Sequence, residues 1–296
     1  MVQDGEEPDD RVPPNVESVT DAASGLLSEI DTWPATAAAA AVGPDGTTVH
    51  HGSIERVFDL ASVTKLATAM AVLVAHEEGT LALDEVEPHT GASVADLLAH
   101  AGGVAFDTLN IVQRPRQERV YSSTAYVLIA NLVAMRAGMS FAEYLHLAVI
   151  EPLGMTTFVL HGSAGADARG SVTDLLRLAA AWREPILIHD STLNRARATH
   201  LAELDGTLPG FGRQDPNPWA LGPEMRGNKS PHWTGRSNSP ETYGHFGRDG
   251  TMLWIDPEAS ATLIALCNEP FGPWAVTAWP LLSDCVITWA NSLKHR

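Results

Sequence analysis

The stretch Ser62-Val63-Thr64-Lys65 opens the most regular helical pattern in this chain. From Ser62 to Glu78 apolar residues recur every three or four positions and Gly79 follows as a stop, which predicts a helix with one buried face. Ser62 and Lys65 are three positions apart, so a helix places both on one side, within hydrogen-bonding reach. The helix start also brings backbone N–H groups and the positive end of the dipole beside Ser62.

Lys65 is one of three lysines, beside sixteen arginines, and its neighbours in the helix are apolar. Burial would lower the pKa of its ammonium from about 10.4 and make the amine a proton acceptor for the Ser62 hydroxyl. An S-x-x-K string also occurs often by chance. The alternative is a serine that only caps the helix and a lysine that reaches solvent.

A second candidate segment is Tyr121-Ser122-Ser123, at the boundary between a polar stretch and a predicted helix from Ser123 to Ala137. A tyrosine can take part in proton transfer where a cation such as Lys65 stabilises its phenolate. The alternative is an ordinary helix start with a serine cap and a half-buried tyrosine.

The third segment is Gly244-His245-Phe246-Gly247-Arg248, a glycine-rich stretch that leads into a strand. Gly247 has no side chain to obstruct a ligand along the backbone, and the backbone near Arg248 could supply an oxyanion donor. His245 would project a polar group into a cleft. Taken alone, such a segment is usually a turn.

Around these segments the pattern predicts strands at both ends of the chain and helices between them. Residues 1–17 are acidic and proline-containing, which predicts a disordered lead-in. The stretch from Asp205 to Gly244 is predicted to form long loops that line a cleft. Whether these loops form a lid is a question that the sequence leaves undecided. The predicted elements are a β-hairpin over Ala35–Val49, helices at Val94–His100, Ser140–Ile150 and Ser171–Trp182, strands at Thr251–Ile255 and Ala261–Cys267, and a helix from Trp274 to Ser292.

Composition narrows the class of protein. The 296 residues are 45% hydrophobic and carry a net charge of −17, which disfavours nucleic acid and anionic lipid as partners. Cys267 and Cys285 are too few for a disulfide framework or a zinc site, so we expect buried free thiols. The acidic start from Met1 to Arg11 is unlike an export signal, and charges interrupt every long apolar run, so a cytoplasmic protein is expected.

Together the three segments, in this order and spacing, resemble the serine β-lactamase and penicillin-binding protein superfamily, specifically its class C-like esterase and peptidase branch. The resemblance runs over nearly the whole chain. Supporting stretches are Phe58-Asp59-Leu60-Ala61, Gly79-Thr80-Leu81-Ala82-Leu83-Asp84, Leu97-Leu98-Ala99-His100-Ala101-Gly102-Gly103, Glu151-Pro152-Leu153-Gly154-Met155 and Leu253-Trp254-Ile255-Asp256-Pro257-Glu258.

The element pattern and the resemblance imply a mixed α/β (α+β) fold of the β-lactamase/transpeptidase-like type, with an antiparallel sheet flanked by helices and an inserted helical domain. The sheet domain is expected over 18–80 and 205–296, the mostly helical domain over 81–204, and the cleft between them. Members of the superfamily use no organic cofactor or metal. A small-molecule substrate is the expected partner, and the oligomeric state is left open.

The resemblance also implies roles for single residues. Ser62 would be the acyl-accepting nucleophile, Lys65 its proton partner, and Tyr121 the base in acylation and in activation of the deacylating water. His245 would support the Tyr121 phenolate or bind a substrate carboxylate. The backbone N–H groups of Ser62 and Arg248 would form the oxyanion hole.

Two departures from the family pattern bear on the substrate. Ser123 stands where drug-hydrolysing relatives commonly have Asn, and Phe246 replaces a small hydroxyl residue. Ser123, Gly247 and the Arg248 side chain, as a carboxylate ligand, are candidate substrate-binding positions. The leading hypothesis is a serine hydrolase that cleaves small carboxylic esters or amides. The alternatives are a β-lactamase, a D-aminopeptidase or D,D-carboxypeptidase, and a non-catalytic ligand-sensing module.

Overall fold

Strands from the N-terminal and C-terminal parts of residues 25–294 form a central antiparallel sheet of order β2-β1-β11-β10-β9-β8 in a computed structural model that describes those residues. The predicted lead-in over 1–17 lies outside these residues. Two smaller sheets, β3-β5-β4 and β6-β7, flank it. The strands are β1 (Ala37–Val42), β2 (Thr48–His51), β3 (Phe58–Asp59), β4 (Val159–Leu160), β5 (Ala168–Gly170), β6 (Gly206–Leu208), β7 (Gly212–Gln214), β8 (Glu224–Met225), β9 (Tyr243–Gly247), β10 (Thr251–Asp256) and β11 (Ala261–Cys267).

The helices are α1 (Thr64–Glu77), α2 (Val94–Leu98), α3 (Ser123–Ala137), α4 (Phe141–Leu145), α5 (Val172–Arg183), α6 (Asp190–Arg197) and α7 (Pro273–Leu293). Short 3-10 helices lie at Ser28–Thr32 and Ala61–Val63, and a π-helical turn at His146–Ile150 continues α4. Among residues 25–294 no single helix is long and apolar enough to cross a membrane. α3 with Phe141–Ile150 passes that test of length and composition only as a pair bent by 86°.

The predicted N-terminal hairpin is present. Gly43 N–H donates to Thr47 O at 2.9 Å and Gly46 adopts a φ of +81°, which closes the turn between β1 and β2. The short side chains of the alanine run suit a central strand, because β1 has a strand on either side and the whole stretch Ala38–Ala41 is buried. β1 pairs with β11 along its full length, with Ala39 opposite Ala265.

α1 is more deeply enclosed than its sequence period predicts. Every residue from Thr64 to Ala75 is buried, so the helix runs through the protein interior rather than presenting one face to it. α5 packs on β1, β10 and β11, and its Trp182 indole donates to Leu66 O of α1 at 3.3 Å. The sheet therefore takes one of its supporting helices from the segment 81–204. The domain boundaries stay predictions.

Sequence patterns missed α6 and β9. α6 has only Leu193 and Ala196 buried, which leaves too weak an apolar period to recognise. β9 is buried at all five residues and contains two glycines, so it shows no alternation. The expectation of two buried thiols was half wrong, because Cys267 is buried in β11 whereas Cys285 is exposed on α7.

Candidate active site

The turn that carries Ser62 is held by hydrogen bonds to β5 and β10. Ala61, directly before Ser62, has a φ of +44°, a strained conformation that persists where the surroundings enforce it. Leu60 supplies two of the restraints, since its N–H donates to Ala168 O at 2.9 Å and its carbonyl accepts from Thr251 Oγ1 at 2.8 Å. The structure therefore fixes the backbone on which the Ser62 hydroxyl stands.

Gly247 serves this turn rather than a ligand. A Cβ atom there would lie 2.5 Å from Leu60 O, 2.4 Å from Thr251 Oγ1 and 3.0 Å from Ala61 Cβ. The space that the sequence analysis reserved for a ligand is thus filled by the protein. Glycine is required because β9 closes directly onto the turn before Ser62.

Lys65 is buried and has three hydrogen-bond acceptors around its Nζ atom. These are Ser62 Oγ at 3.4 Å, Ser123 Oγ at 3.0 Å and Gly165 O at 2.6 Å. Burial lowers the pKa of Lys65 from 10.5 to about 7. A neutral amine donates its two hydrogens to the shorter contacts, with Ser123 and Gly165, and keeps its lone pair for the Ser62 hydroxyl.

Tyr121 lies between this pair and His245. Lys65 Nζ is 4.8 Å from the centroid of the Tyr121 ring, and the Tyr121 hydroxyl is 3.4 Å from His245 Nε2. Burial raises the pKa of Tyr121, and a hydrogen bond with Ser62 only partly offsets this. The phenol form is therefore favoured at neutral pH.

His245 is a neutral hydrogen-bond acceptor for that phenol. Its Nδ1 atom lies 2.7 Å from Phe246 O, and because a carbonyl only accepts, Nδ1 carries the proton and Nε2 is free to accept from Tyr121. Burial, followed by the charge of Lys65, lowers the pKa of His245 to about 3. This differs from the expected support of a phenolate, since a neutral ring offers no positive charge.

His100 was quoted in the family pattern but not identified as part of the site. Its ring centroid lies 4.5 Å from that of Tyr121 and 4.5 Å from that of Trp219. Its Nδ1 accepts from Ser122 N–H at 3.2 Å, so Nε2 carries the proton, and that atom has no partner within residues 25–294. The φ of +57° at this buried histidine shows that the backbone is held in an uncommon conformation behind Tyr121.

The expected oxyanion donors lie at the open end of β9. β8 pairs only with Tyr243 and Gly244, so the rest of β9 has β10 on one side and no further strand among the described residues on the other. Ser62 N–H belongs to the first turn of a helix, where backbone donors lack intrahelical acceptors. The Arg248 side chain is 81% exposed and lies 3.5 Å from Asp249, outside the buried cluster.

The two departures from the family pattern occupy different places. Ser123 contacts Lys65 directly, as given above, so its hydroxyl belongs to the proton-handling cluster. Phe246 points to the other face of the sheet from His245, where its ring packs against Phe271 and Trp279 of the α7 region. Phe246 therefore supports the apolar layer under α7 rather than the cleft wall.

The loop before β5 supplies a site residue that the sequence analysis missed. Gly165 O accepts from Lys65, and a Cβ atom at Gly165 would lie 2.8 Å from Ser123 O and 2.9 Å from Ser123 Cβ. The adjacent Ala164 O accepts from Thr68 of α1 at 2.7 Å. Only a residue without a side chain lets this loop reach Lys65 between α1 and α3.

The segment 222–243, considered as a lid, is fastened by buried carboxylates. Glu224 accepts from Lys229, His232 and Trp233 at 2.5, 2.9 and 2.6 Å. Burial raises the pKa of the Glu224 carboxyl, but the charges of Lys229 and His232 outweigh this effect and bring the pKa well below 4.5. Asp256 anchors the other end through four donors, Ser239 N and Oγ, Thr242 Oγ1 and Ala259 N. Hydrogen bonds thus tie one part of the segment to Glu224 of β8 and another part to Asp256 of β10.

No metal-binding cluster of three or more His, Cys, Asp or Glu side chains occurs in the part of the chain that the structure describes. The cluster brings together the Ser62 and Ser123 hydroxyls, the Lys65 amine, the Tyr121 phenol and the neutral His245 imidazole. This set is suited to moving a proton to and from an alcohol oxygen.

A profile of the Beta-lactamase family matches residues 33–284, which include every residue of this cluster. The chain belongs to the beta-lactamase family. Family membership places it among serine hydrolases related to β-lactamases and penicillin-binding proteins. Among curated proteins, a putative D-alanyl-D-alanine carboxypeptidase of Escherichia coli K12 is 23% identical over 308 residues, covering 74% of this chain and 70% of that protein.

Solved structures agree with the fold of this beta-lactamase family member. A crystal structure of a beta-lactamase from Mycobacterium bovis is 42% identical, with a TM-score of 0.87 over 90% of this chain and 99% of that one. A simvastatin synthase mutant from Aspergillus terreus, at 15% identity and a TM-score of 0.73, covers 90% of this chain and 94% of its own. The second likeness shows the fold alone. The predicted antiparallel sheet flanked by helices is therefore confirmed.

Proposed function

We propose that this chain hydrolyses small carboxylic esters, and amides more slowly, through an acyl-enzyme on Ser62. The observation that carries the proposal is the environment of Lys65. Two fixed acceptors, Ser123 Oγ and Gly165 O, take the amine hydrogens, so the lone pair remains for the Ser62 hydroxyl. A buried amine with a pKa of about 7 is matched to proton transfer near neutral pH.

The reaction proceeds in two half-reactions. Lys65 takes the Ser62 proton while Oγ bonds to the substrate carbonyl carbon, and the carbonyl oxygen becomes an oxyanion facing the Ser62 and Arg248 N–H groups. As the bond between the acyl carbon and the alcohol oxygen breaks, the alcohol oxygen receives the proton from Lys65 through the Tyr121 hydroxyl. Water then attacks the acyl carbon and gives a proton through Tyr121 to Lys65. As the bond between the acyl carbon and Oγ breaks, Lys65 returns the proton to Ser62 Oγ and the carboxylic acid leaves.

Tyr121 acts here as a phenol that passes a proton, with His245 as its acceptor. A phenol whose pKa is raised cannot be the resting base, so the base is the Lys65 amine. A location in the cytoplasm stays a prediction from the acidic start of the sequence.

A β-lactamase or D-peptidase activity is the second candidate, and it is supported by the names of the Mycobacterium bovis and Escherichia coli relatives. Against it stand Ser123, whose hydroxyl is engaged by Lys65, and Phe246, whose ring lies outside the cleft. Turnover of a chromogenic cephalosporin above the uncatalysed rate would favour this second candidate.

A non-catalytic ligand sensor is the third candidate, and the proton-handling arrangement of Lys65 argues against it.

Intact-mass spectrometry after treatment with a fluorophosphonate tests the proposal. The wild type should gain one covalent adduct and release p-nitrophenol from a short p-nitrophenyl ester in a burst. Ser62→Ala should do neither, while the exposed control Ser53→Ala should behave as wild type. An unchanged burst in Ser62→Ala refutes the assignment. A wild type that forms no adduct with any reactive ester or lactam supports the sensor instead.

A further inference from the structure

The segment between Val104 and Val112 leaves apolar side chains exposed next to the candidate active site. Phe106, Leu109, Ile111 and Val112 are 48, 55, 44 and 58% exposed. We call these four residues the apolar ledge. Grouped exposed apolar side chains usually mark a surface on which a ligand or partner binds.

The apolar ledge is fastened to the residues that carry Tyr121. The Phe106 ring stacks on the Tyr121 ring, with centroids 5.9 Å apart and planes 22° from parallel. Phe106 O accepts from the backbone N–H groups of Ser123 and Thr124 at 2.9 and 3.0 Å. Midway along the segment, Leu109 O accepts from His89 Nε2 at 2.6 Å. The ledge is thus joined to Tyr121 through Phe106 and held in place by backbone hydrogen bonds.

The geometry of the reaction decides which part of a substrate meets this surface. The carbonyl oxygen must face the N–H groups of Ser62 and Arg248 at the end of β9. The leaving oxygen must face Tyr121, which delivers its proton. We infer that the apolar ledge binds the alcohol portion of the ester, so that preferred substrates are esters of apolar, aromatic or branched alcohols. This inference rests on the proposed function.

Two other occupants fit less well. A net charge of −17, with Asp107 inside the segment, opposes an anionic bilayer surface. A stable dimer buries about 800 Å² on each partner, which four half-exposed side chains supply only in part. The alcohol portion of a small ester needs neither an anionic surface nor an interface of that area.

The test uses 2-naphthyl acetate and methyl acetate, which form the same acetyl-enzyme on Ser62 and differ only in the alcohol. Phe106→Ala should lower kcat/KM for 2-naphthyl acetate about tenfold and for methyl acetate less than about twofold. Because the alcohol has left before water attacks, the deacylation rate constant should not change. Leu109→Ser should act in the same direction, more weakly.

Met135→Ser is the matched control, since Met135 is 70% exposed and lies twelve residues along α3 from Ser123, about 18 Å away. It should leave both esters unaffected. The inference is overturned if Phe106→Ala slows both esters equally, slows deacylation, or has no effect on either. It is also overturned if Leu109→Ser dissociates a wild-type dimer or abolishes vesicle binding without changing alcohol preference. If the wild type hydrolyses neither ester and forms no acyl adduct, the proposed function itself falls, and the inference with it.

Discussion

The Tyr121 hydroxyl donates its hydrogen bond to Nε2 of a neutral His245, and the carbonyl of Phe246 selects the tautomer that makes this possible. His245 is thereby a positional partner of the phenol. In the proposed reaction, Lys65 takes the proton, Tyr121 passes it, and His245 orients Tyr121.

Tyr121→Phe should therefore lower kcat/KM by about 10²- to 10⁴-fold, because it removes the proton carrier but keeps the ring. His245→Phe should cost about tenfold, since the phenol loses only its acceptor. The matched control is Tyr126→Phe, whose hydroxyl donates to Leu98 O at 2.9 Å inside the fold. It should cost about 1 kcal/mol of unfolding free energy with activity nearly intact. Equal loss of activity in the Tyr121 and Tyr126 variants would contradict this assignment.

The pH dependence should report on Lys65. Its neutral form is the base, so kcat/KM should rise with pH and level off above about 7, with no further ionisation from His245 between pH 5 and 8. Lys65→Arg, which stays protonated, should lose this rise together with nearly all activity. A pH-independent rate from 5 to 8 in the wild type would exclude Lys65 as the base.

Gly165→Ala should disturb the site by displacing the loop that carries the Gly165 carbonyl. The added Cβ would push the loop from Ser123 and withdraw the carbonyl that orients Lys65, with a loss of at least tenfold in kcat/KM and about 1–3 kcal/mol in stability. Gly138 ends α3, the helix that begins at Ser123, and it has a φ of +69° with open space around it. Gly138→Ala is therefore the matched control. It should lose about 1 kcal/mol in stability and no activity. Esterase assays and urea unfolding of both variants separate the two effects.

Buried histidines should make the fold sensitive to mild acid. Burial lowers the pKa of His100, His232 and His245 below 6.5, so the unfolded chain binds more protons than the folded one as pH falls through that value. Stability is then present above pH 6.5 and is lost below it, by up to about 1.4 kcal/mol per pH unit for each histidine that stays neutral in the fold. Urea unfolding at pH 7.5 and 5.5 measures this, and His245→Gln should reduce the difference in unfolding free energy between the two pH values by about 1.4 kcal/mol. Equal unfolding free energies at pH 7.5 and 5.5 would contradict this prediction.

The two thiols should differ in reactivity. Cys285 is exposed on α7, whereas Cys267 is buried in β11, where burial raises the pKa of its thiol to about 11. Ellman's reagent should titrate one thiol in the native protein and two after denaturation. Cys285→Ser should abolish the native reaction, and a native count of two would show that β11 opens readily.

Local patterns predicted the parts of the fold that depend on local periodicity. The bounds of five elements were predicted to within a few residues, because the apolar spacing that marks each of them is visible within a short stretch of sequence. These elements are α1, α3, α7, β10 and β11. β9 was not predicted because it is buried on both faces and two of its five residues are glycines, so it shows no alternation of polar and apolar residues.

Long-range contacts explain what was missed at the site. Ser62, Lys65, Tyr121 and His245 were found because their chemistry is distinctive and their order matches a known family. Gly165 has no chemistry of its own, and its role appears only where its loop passes between two helices. The neutral state of His245 likewise depends on burial, which no short pattern reveals.

The pairing of β1 with β11 has a consequence for synthesis of the protein. Ser62 and Lys65 leave the ribosome early, on a helix that is buried throughout in the finished fold. Gly247 and Thr251, which contact the turn before Ser62, and Arg248, whose N–H is the proposed second oxyanion donor, emerge almost two hundred residues later. In the proposed reaction, a nascent chain that ends before β9 therefore carries the alcohol and the amine without the groups needed to acylate Ser62.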